Sequence, residues 1–415
     1  MKQKISTQLY ILGVRVDDIS LPEALQKAES ELKLATAQKF IVTPNPEMCL
    51  YTTGDERYRR DILDRAFLAL PDGFGLKIGA WVLGERLRHR VTGVDFTYGL
   101  MERAAGNGWR VFLLGGEEGV ADRCAEVLMR RYEGLKIVEA FDGGKTQNSK
   151  LNPEPRKFSG LGQNHNLKLK TDALTSAINK AKPDILLVAL GAPKQEKWIA
   201  ENLPKLPSVK LAIGVGGTFD FISGLVRRAP RFMRALGFEW LWRLLIQPWR
   251  FRRIFNATIK FIATVLKWRL RMWFVYRSNV VGLIVKDDKV LLVERADEPG
   301  HWQLPQGGID RGEEPRGAFF REMKEEIGID ALSIISHIPR FFRYVWPKIN
   351  QLMQGYRGQR QELFIAEFKG EDEDIKLDQD ELVSFRWVSR DEALSLAHPV
   401  RKEQLNRALS FLTQH

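Results

Sequence analysis

From Gly307 to Ile329 the chain reads GGIDRGEEPRGAFFREMKEEIGI, and this stretch limits folding and chemistry together. If it is helical after its glycine-rich start, Glu322, Glu325 and Glu326 stand at i, i+3 and i+4, so their carboxylates converge on one face. Three such oxygen donors suit Mg²⁺, which keeps several waters and takes substrate phosphate as a further ligand; Mn²⁺ is the alternative. The glycines permit a tight turn before the helix, and Gly328 is suited to end it in the left-handed conformation. Arg321 is the internal partner expected to orient the glutamates. A lone EMKEE would be an ordinary solvated helix face; a patterned stretch of this length is not.

The surroundings of this stretch read as a mixed α+β domain. NVVGLIVKDDKVLLVER is two β-like runs around a Lys-Asp-Asp-Lys turn, QELFIAEF and SFRWV are further strands, and a helix closes the chain. A 415-residue chain exceeds the usual size of a single core, so a second domain is expected before Tyr276. There, KFIVTPNP, WRVFLLGG, PDILLVALG and VKLAIGVGG are short apolar runs, each ending in a Gly- or Pro-rich turn and alternating with helical patterns. They predict an α/β, Rossmann-like parallel sheet with helices on both faces and ligands at the carboxyl ends of the strands. The N-terminal stretch through Val16 reads as a first strand. A polar, aperiodic segment over about 145–170 reads as a surface insertion. The expected boundaries are therefore 1–226, a linking segment 227–275, and 276–415.

The net charge of +12 is localised. Residues 227–277 hold 13 lysines and arginines against one acid, Glu239, so the rest of the chain is neutral. Trp240, Trp242, Trp249, Trp268 and Trp273, five of the eleven tryptophans, fall in the same segment. A basic, aromatic appendage suits an anionic membrane surface, and its uncharged runs are far shorter than the roughly 20 residues that span a bilayer. From Phe251 the pattern is that of an amphipathic helix with Phe251, Phe255, Ile262, Leu266 and Trp273 on one face. RNA is the competing partner, since phosphate contacts need little besides Lys and Arg. Cys49 and Cys124 lack the spacing of a zinc or redox motif, which fits a reducing, cytoplasmic setting.

The Gly307–Ile329 stretch, with Gly307, Glu313 and Arg321–Ile329 at their fixed spacing, resembles the Nudix box. YRSNVVGLIV, WQLPQGGID, YVWPK and GQRQELF are similar to the bacterial RNA pyrophosphohydrolase and diadenosine polyphosphate hydrolase subgroup over about Tyr276–Leu412. The resemblance implies an α+β Nudix fold and Mg²⁺-dependent hydrolysis of a nucleotide or RNA 5′ end. It implies metal ligands Glu322, Glu325, Glu326 and Glu381, with Glu325 and Glu326 central to catalysis and Arg277 and Gln359 on substrate. Leu363 and Glu362 depart from the subgroup's pattern.

TPNPEM (43–48), LPDGFG (70–75), GAPKQEKWI (191–199) and GVGGTFDFISGLVRRAP (214–230), followed by EWLWRLLIQPWRFRRI, resemble the WecG/TagA/CpsF glycosyltransferases over about Gln8–Ile254. That family's activity, by resemblance, is transfer of an N-acetylhexosamine, typically N-acetylmannosamine, from a UDP-sugar to a polyprenyl-diphosphate-linked acceptor at the inner face of the membrane. The resemblance places the base at Asp72 and substrate contacts at Thr43, Asn45, Gln195 and Glu196. The arginines facing the leaving diphosphate would come from Arg227, Arg228, Arg231 and Arg234. Two alternatives for the C-terminal half stay open: hydrolysis of the nucleotide sugar or nucleotide by-product, and a non-catalytic nucleotide sensor. The sequence implies no cofactor for the transferase half and names no stable protein partner.

Overall fold

The computed structural model describes residues 8–412 except 35, 143–164, 236, 249 and 250; at 165–170, 231, 235, 243 and 253 it describes the backbone alone. Most of the 145–170 segment, and Trp249, therefore lie outside the described residues. The chain divides into two compact units, Met1–Arg269 with Leu352–Gln354 and Leu270–Gln351 with Gly355–His415.

The first unit contains strands β1 (Gln8–Ile11), β2 (Val14–Asp17), β3 (Lys39–Val42), β4 (Leu68–Ala69), β5 (Arg110–Gly115), β6 (Lys136–Phe141), β7 (Ile185–Ala189) and β8 (Leu211–Gly214). Its helices begin with α1 (Leu21–Leu34), α2 (Pro46–Thr52), α3 (Phe74–Val82), α4 (Gly93–Asn107), α5 (Val120–Arg131) and α6 (His165–Ala181). They continue with α7 (Lys194–Asn202), α8 (Thr218–Ile222), α9 (Arg231–Ala235), α10 (Glu239–Ile246), α11 (Phe251–Phe255) and α12 (Phe261–Phe274), the last running past the end of this unit. The N-terminal stretch, expected as one strand, is a hairpin: β1 and β2 pair antiparallel across Leu12 and Gly13, both at positive φ, the two-residue turn that matches strand twist.

The six-stranded sheet, in the order β4-β3-β8-β7-β5-β6, is parallel throughout. Its central strands are apolar without alternation because both faces are covered. Leu113, Leu187 and Ile213 pack on one face with Leu25, Phe96, Leu100 and Cys124. Phe112, Leu186 and Ala212 point the other way, against Ile178 and Ile199 of α6 and α7. Each fully buried leucine contributes about 1.5–3 kcal/mol. This rigid sheet fixes where its strand-end loops emerge.

The basic segment departs from the single helix its periodicity predicts. A π-helical turn over Asn256–Lys260 separates α11 from α12, and such a turn shifts which side chains face inward. Phe261 and Val265 are buried, while Phe251, Phe255 and Leu266 of the expected apolar face are exposed. Among the described residues, no helix is long and apolar enough to cross a membrane.

The second unit contains β9 (Tyr276–Lys286), β10 (Lys289–Arg295), β11 (Trp302–Gln303), β12 (Gln306–Gly308), β13 (Leu332–Val345), β14 (Gly358–Phe368) and β15 (Leu382–Val388). Helices α13 (Pro315–Ile327), α15 (Arg390–Leu396) and α16 (Lys402–Ser410) accompany them, with α14 (Lys348–Gln354) as far as Gln351. The sheet runs β11-β10-β9-β14-β13, with β12 added to β9 and β15 to β10; β9 and β14 are parallel and the other pairs antiparallel. Asp287 and Asp288, both at positive φ, make the β9–β10 turn. Phe319, Met323 and Ile327 of α13 pack on one face of the sheet, and Ala393, Leu405 and Leu409 of α15 and α16 on the other.

Candidate active sites

In the first unit, the loops after β3, β4, β7 and β8 meet at the carboxyl edge of the sheet. Thr43 follows β3, and its hydroxyl donates to the Gly214 carbonyl at the end of β8 (3.1 Å). Asn45 caps α2, its Oδ1 accepting the Glu47 and Met48 amides (both 3.0 Å). The Asp72 amide donates to the Pro44 carbonyl (2.9 Å), so the β4 loop hangs from the β3 loop. The half-buried Asp72 carboxylate reaches the start of α4, where the Gly93 amide approaches Oδ2 at 3.4 Å. The positive end of a helix favours negative charge there. A side chain at Gly93 would crowd Thr218 Oγ1 (3.2 Å) and approach Asp72 Oδ2 (3.8 Å), so the loop after β8 closes the opposite side.

Arg228 is held at this edge by Asp95. Its Nη1 donates to Asp95 Oδ1 (2.6 Å), and its Nη2 to Asp95 Oδ2 (2.8 Å) and the Thr92 hydroxyl (3.1 Å). Burial alone would weaken this guanidinium's charge, but the Asp95 bonds outweigh it and raise the pKa; Asp72 adds a smaller attraction. Arg227 is exposed, and its carbonyl accepts Trp242 Nε1 (3.1 Å). Arg234 is half-buried, with Nε lacking a hydrogen-bond partner among the described residues. The Arg231 side chain lies outside the described residues.

Gln195 and Glu196, at the start of α7, are both buried. Gln195 Oε1 accepts the Gly191 and Gly216 amides (3.1 and 3.0 Å), and its Nε2 donates to Glu196 Oε1 (2.6 Å). Tyr58 donates to the other Glu196 oxygen (3.1 Å), and burial pushes that carboxyl above its ordinary range. The pair thus joins the loop after β7 to the loop after β8. Gly214 has no room for a side chain: a Cβ would lie 2.8 Å from Gln195 Nε2.

In the second unit, Glu322, Glu325 and Glu326 project from α13 around Arg321. Arg321 grips Glu313 through Nε and Nη2 (both 2.8 Å), the Gly308 carbonyl through Nη2 (2.9 Å), and Glu322 and Glu325 through Nη1 (2.8 and 3.0 Å). These bonds, with the Asp310 amide, hold the Glu313 carboxyl down at about 2. Burial pushes Glu326 up to about 8, with Glu322 and Glu381 adding repulsion; its carboxylate also accepts the Gln306 amide (3.3 Å). Glu322 is raised for the same reasons, burial first and then Glu325 and Glu381. Glu381 is exposed immediately before β15. A side chain at Gly307 would run into Glu322, so the loop backbone lies directly against the glutamate. Gly328 ends α13 at φ +74°, its amide donating to the Lys324 carbonyl (3.1 Å).

Beside these carboxylates, Arg277 lies over Gly308, where a Cβ would come within 2.7 Å of Nη2. Gln359 is its register partner on β14 and accepts the Tyr344 hydroxyl. Glu362 Oε2 lies 2.9 Å from His337 Nε2. Carboxylates crowded by burial and mutual repulsion fit a hard divalent cation, because bound positive charge relieves both while the oxygens stay ionised.

The family model for the glycosyl transferase WecG/TagA/CpsF family matches residues 9–274. The chain belongs to this family. The NUDIX domain model matches residues 275–409, so this WecG/TagA/CpsF member is a glycosyltransferase carrying a Nudix hydrolase domain. The transferase part is similar to the N-acetylglucosaminyldiphosphoundecaprenol N-acetyl-beta-D-mannosaminyltransferase of Bacillus subtilis (strain 168). The two are 33% identical over 227 residues, 55% of this chain and 78% of the relative. The protein of the same name from Staphylococcus aureus (strain MRSA252) is 28% identical over 255 residues, 61% of this chain and 91% of the relative. The solved Caenorhabditis elegans Ap4A hydrolase binary complex is 22% identical, covering 33% of this chain and 99% of that one, with a TM-score of 0.27.

Sequence reasoning missed several residues at both sites of this transferase–hydrolase. Thr92 and Asp95 were legible as the S/T-x-x-D/E start of a helix, and Thr92 Oγ1 does accept the Asp95 amide (3.2 Å). That Asp95 also holds Arg228, 133 residues away, had no local signal. In the Nudix domain, Gln361 is fully buried and donates to Gln306 (2.9 Å), which in turn donates to Gln303 (3.3 Å), a row of amides beneath the loop. Another unforeseen group is Glu298, His301 and His398, whose ligand atoms lie within 4.8 Å of one another. The two imidazoles are parallel (7°) with centroids 4.1 Å apart, and one ion cannot lie in both ring planes. With His301 Nδ1 2.8 Å from Glu298 Oε2, the group works as a clip between the loop after β10 and the segment before α16.

Proposed function

We propose that the transferase half moves N-acetylmannosamine from its UDP-sugar to an N-acetylglucosamine carried on a polyprenyl diphosphate, with Asp72 as the base. The supporting observation is the position of the Asp72 carboxylate, at a helix N-terminus between four strand-end loops, with Arg228 close enough for their charges to interact. Asp72 takes the proton from the acceptor hydroxyl as that oxygen attacks the anomeric carbon, and UDP departs in the same displacement, inverting the centre. Arg227, Arg228, Arg231 and Arg234 supply positive charge for the diphosphate that develops. Thr43 and Asn45 shape the acceptor side. Gln195 and Glu196 serve the nucleotide by fixing the Gly191 and Gly216 loops beneath it. The basic appendage, 227–275, meets the anionic inner leaflet, where each basic residue adds about 1 kcal/mol, so that 1–226 faces its lipid-linked acceptor.

For the Nudix half, 276–415, we infer hydrolysis of a nucleoside diphosphate-linked substrate, an RNA 5′ triphosphate or a dinucleoside polyphosphate. Glu322, Glu325, Glu326 and Glu381 would hold Mg²⁺, or Mn²⁺, which when bound neutralises diphosphate charge and lowers the pKa of bound water. Arg321 keeps the glutamates oriented, and Arg277 and Gln359 receive the phosphate or base. The intact glutamate set favours a hydrolase over a sensor, since binding alone does not call for it.

The test is an assay of the full chain on both substrate classes. Incubation with UDP-N-acetylmannosamine and polyprenyl-diphosphate N-acetylglucosamine should release UDP and yield a disaccharide lipid with inverted linkage; no product would remove the transferase assignment. Mg²⁺-dependent cleavage is then compared across UDP-sugar, dinucleoside tetraphosphate and triphosphorylated RNA. A preference for UDP-sugar would replace the proposed substrates by the transferase's own donor.

A further inference from the structure

The sequence places its aromatic, cationic surface after residue 226, but the structure adds an element from far upstream. Helix α3 presents two different sides. Leu76, Gly79, Ala80 and Val82 are buried, whereas Ile78 and Trp81 are exposed, Trp81 at 76%. An indole so bare on a folded surface marks a contact surface when other apolar groups adjoin it.

The appendage brings such groups to the same helix, because it packs along α3. Phe74, one turn before Ile78 on the same helical face, packs on the backbone of Gly237 in the α9–α10 turn. On the adjacent face, Gly75 lies beneath the Ala257 carbonyl and Gly79 beneath the Phe261 ring, where a Cβ would come within 3.6 and 2.9 Å respectively. Arg269 donates to the Val82 carbonyl at the end of α3. The exposed apolar residues of these flanking segments include Phe232, Phe238, Trp240 and Ile259.

Charge accompanies the apolar groups. The loop after α3 reads GERLRHR, three arginines against Glu85, with Arg86 and Arg88 exposed. Asp18 anchors this loop, its carboxylate accepting the Arg88 and His89 amides (both 2.9 Å) and Arg88 Nε (2.9 Å). Aromatic groups ringed by cations are what an anionic bilayer surface takes up.

We propose that α3, through Ile78 and Trp81 with Arg86 in the loop that follows, is a second membrane-docking element that enters the headgroup layer together with the appendage. The proposal rests on the reading of the appendage as membrane-facing and deepens it. Asp72 precedes Phe74 by two residues, so docking α3 brings the catalytic edge to the depth at which a lipid-linked diphosphate emerges from the bilayer.

The experiment uses the full chain and vesicles of phosphatidylglycerol or phosphatidylcholine in flotation. Wild type should float with the anionic vesicles, and Ile78→Glu/Trp81→Glu should lose at least about tenfold in partition, the loss expected when two buried apolar side chains become charged. Turnover of a short-chain, water-soluble acceptor should be unchanged in that variant. Equal flotation of variant and wild type overturns the role of α3 and leaves the appendage reading standing; failure of wild type to float overturns both. A second measurement is independent of any loss by misfolding. Cys49 and Cys124 are buried, so Trp81→Cys offers a single site for a nitroxide label. On anionic vesicles the label should become accessible to lipid-dissolved oxygen; a label that stays in water overturns the proposal. So does sedimentation showing a vesicle-free dimer that Trp81→Glu dissociates while vesicle binding is unchanged, since the face would then belong to a second copy.

Discussion

The two catalytic halves build their acidic sites in opposite ways. In the Nudix domain Glu322, Glu325 and Glu326 come from one turn of one helix, and Arg321 from the same helix organises them. In the transferase Asp72 sits on a loop, and its setting is assembled from residues as far apart as Pro44, Gly93, Thr218 and Arg228. A site carried mainly by one helix, with Glu381 added from just before β15, is fixed largely by 3.6-residue periodicity, whereas one spread over strand ends is fixed by the order of strands in a sheet. The first should tolerate disturbance elsewhere in its fold, and the second should not.

The largest effect expected is Asp72→Asn, which should cut sugar transfer on the order of 10²–10⁴-fold while leaving pyrophosphohydrolysis intact. Loss of both activities would mean that the halves do not act separately. Glu325→Gln or Glu326→Gln should do the reverse, reducing phosphoanhydride cleavage on the order of 10²–10³-fold. Chelation with EDTA should mimic those variants in the hydrolase assay alone; transfer that also stops would assign a metal to the transferase half.

Arg321→Ala sharpens the contrast further. It should cost the hydrolase about 10–100-fold with a weaker apparent Mg²⁺ affinity, because the glutamates lose the cation that orients them. A variant with full activity at ordinary Mg²⁺ would show that the helix alone suffices. At the transferase site, Thr92→Ala should remove a helix cap and one contact to Arg228, lowering stability by about 1 kcal/mol by denaturant titration. Because the cap also positions Arg228, the KM for UDP-sugar should rise as well; a stability loss with unchanged kinetics would uncouple Arg228 from the donor.

Much of this protein was readable before its structure. Apolar runs ending at Val42, Gly115, Ala189 and Gly214 gave parallel strands, and the loops that follow them carry Thr43, Gln195 and the glycines of GVGG. The N-terminal stretch reads as one strand because Leu12 has no turn propensity; its positive φ accompanies the pairing of β1 with β2. The basic segment reads as one helix because hydrophobic periodicity does not register a π turn; in the structure that turn immediately precedes Phe261, whose ring lies over Gly79. Exposure of Trp81 has no local signal, since GLKIGAWVLG is apolar apart from Lys77 and does not mark which side faces out.

By itself the sequence determined which side chains share a helix turn, which runs are strands, and where charge and tryptophan accumulate. These depend on spacing of a few residues, and backbone geometry converts spacing into direction. Only the tertiary structure decided that Asp95 holds Arg228, that Gln195 and Glu196 are buried between two loops, and that the appendage closes around α3. Those outcomes depend on contacts between residues far apart in the chain, which form only once buried apolar surface has fixed the order of the strands.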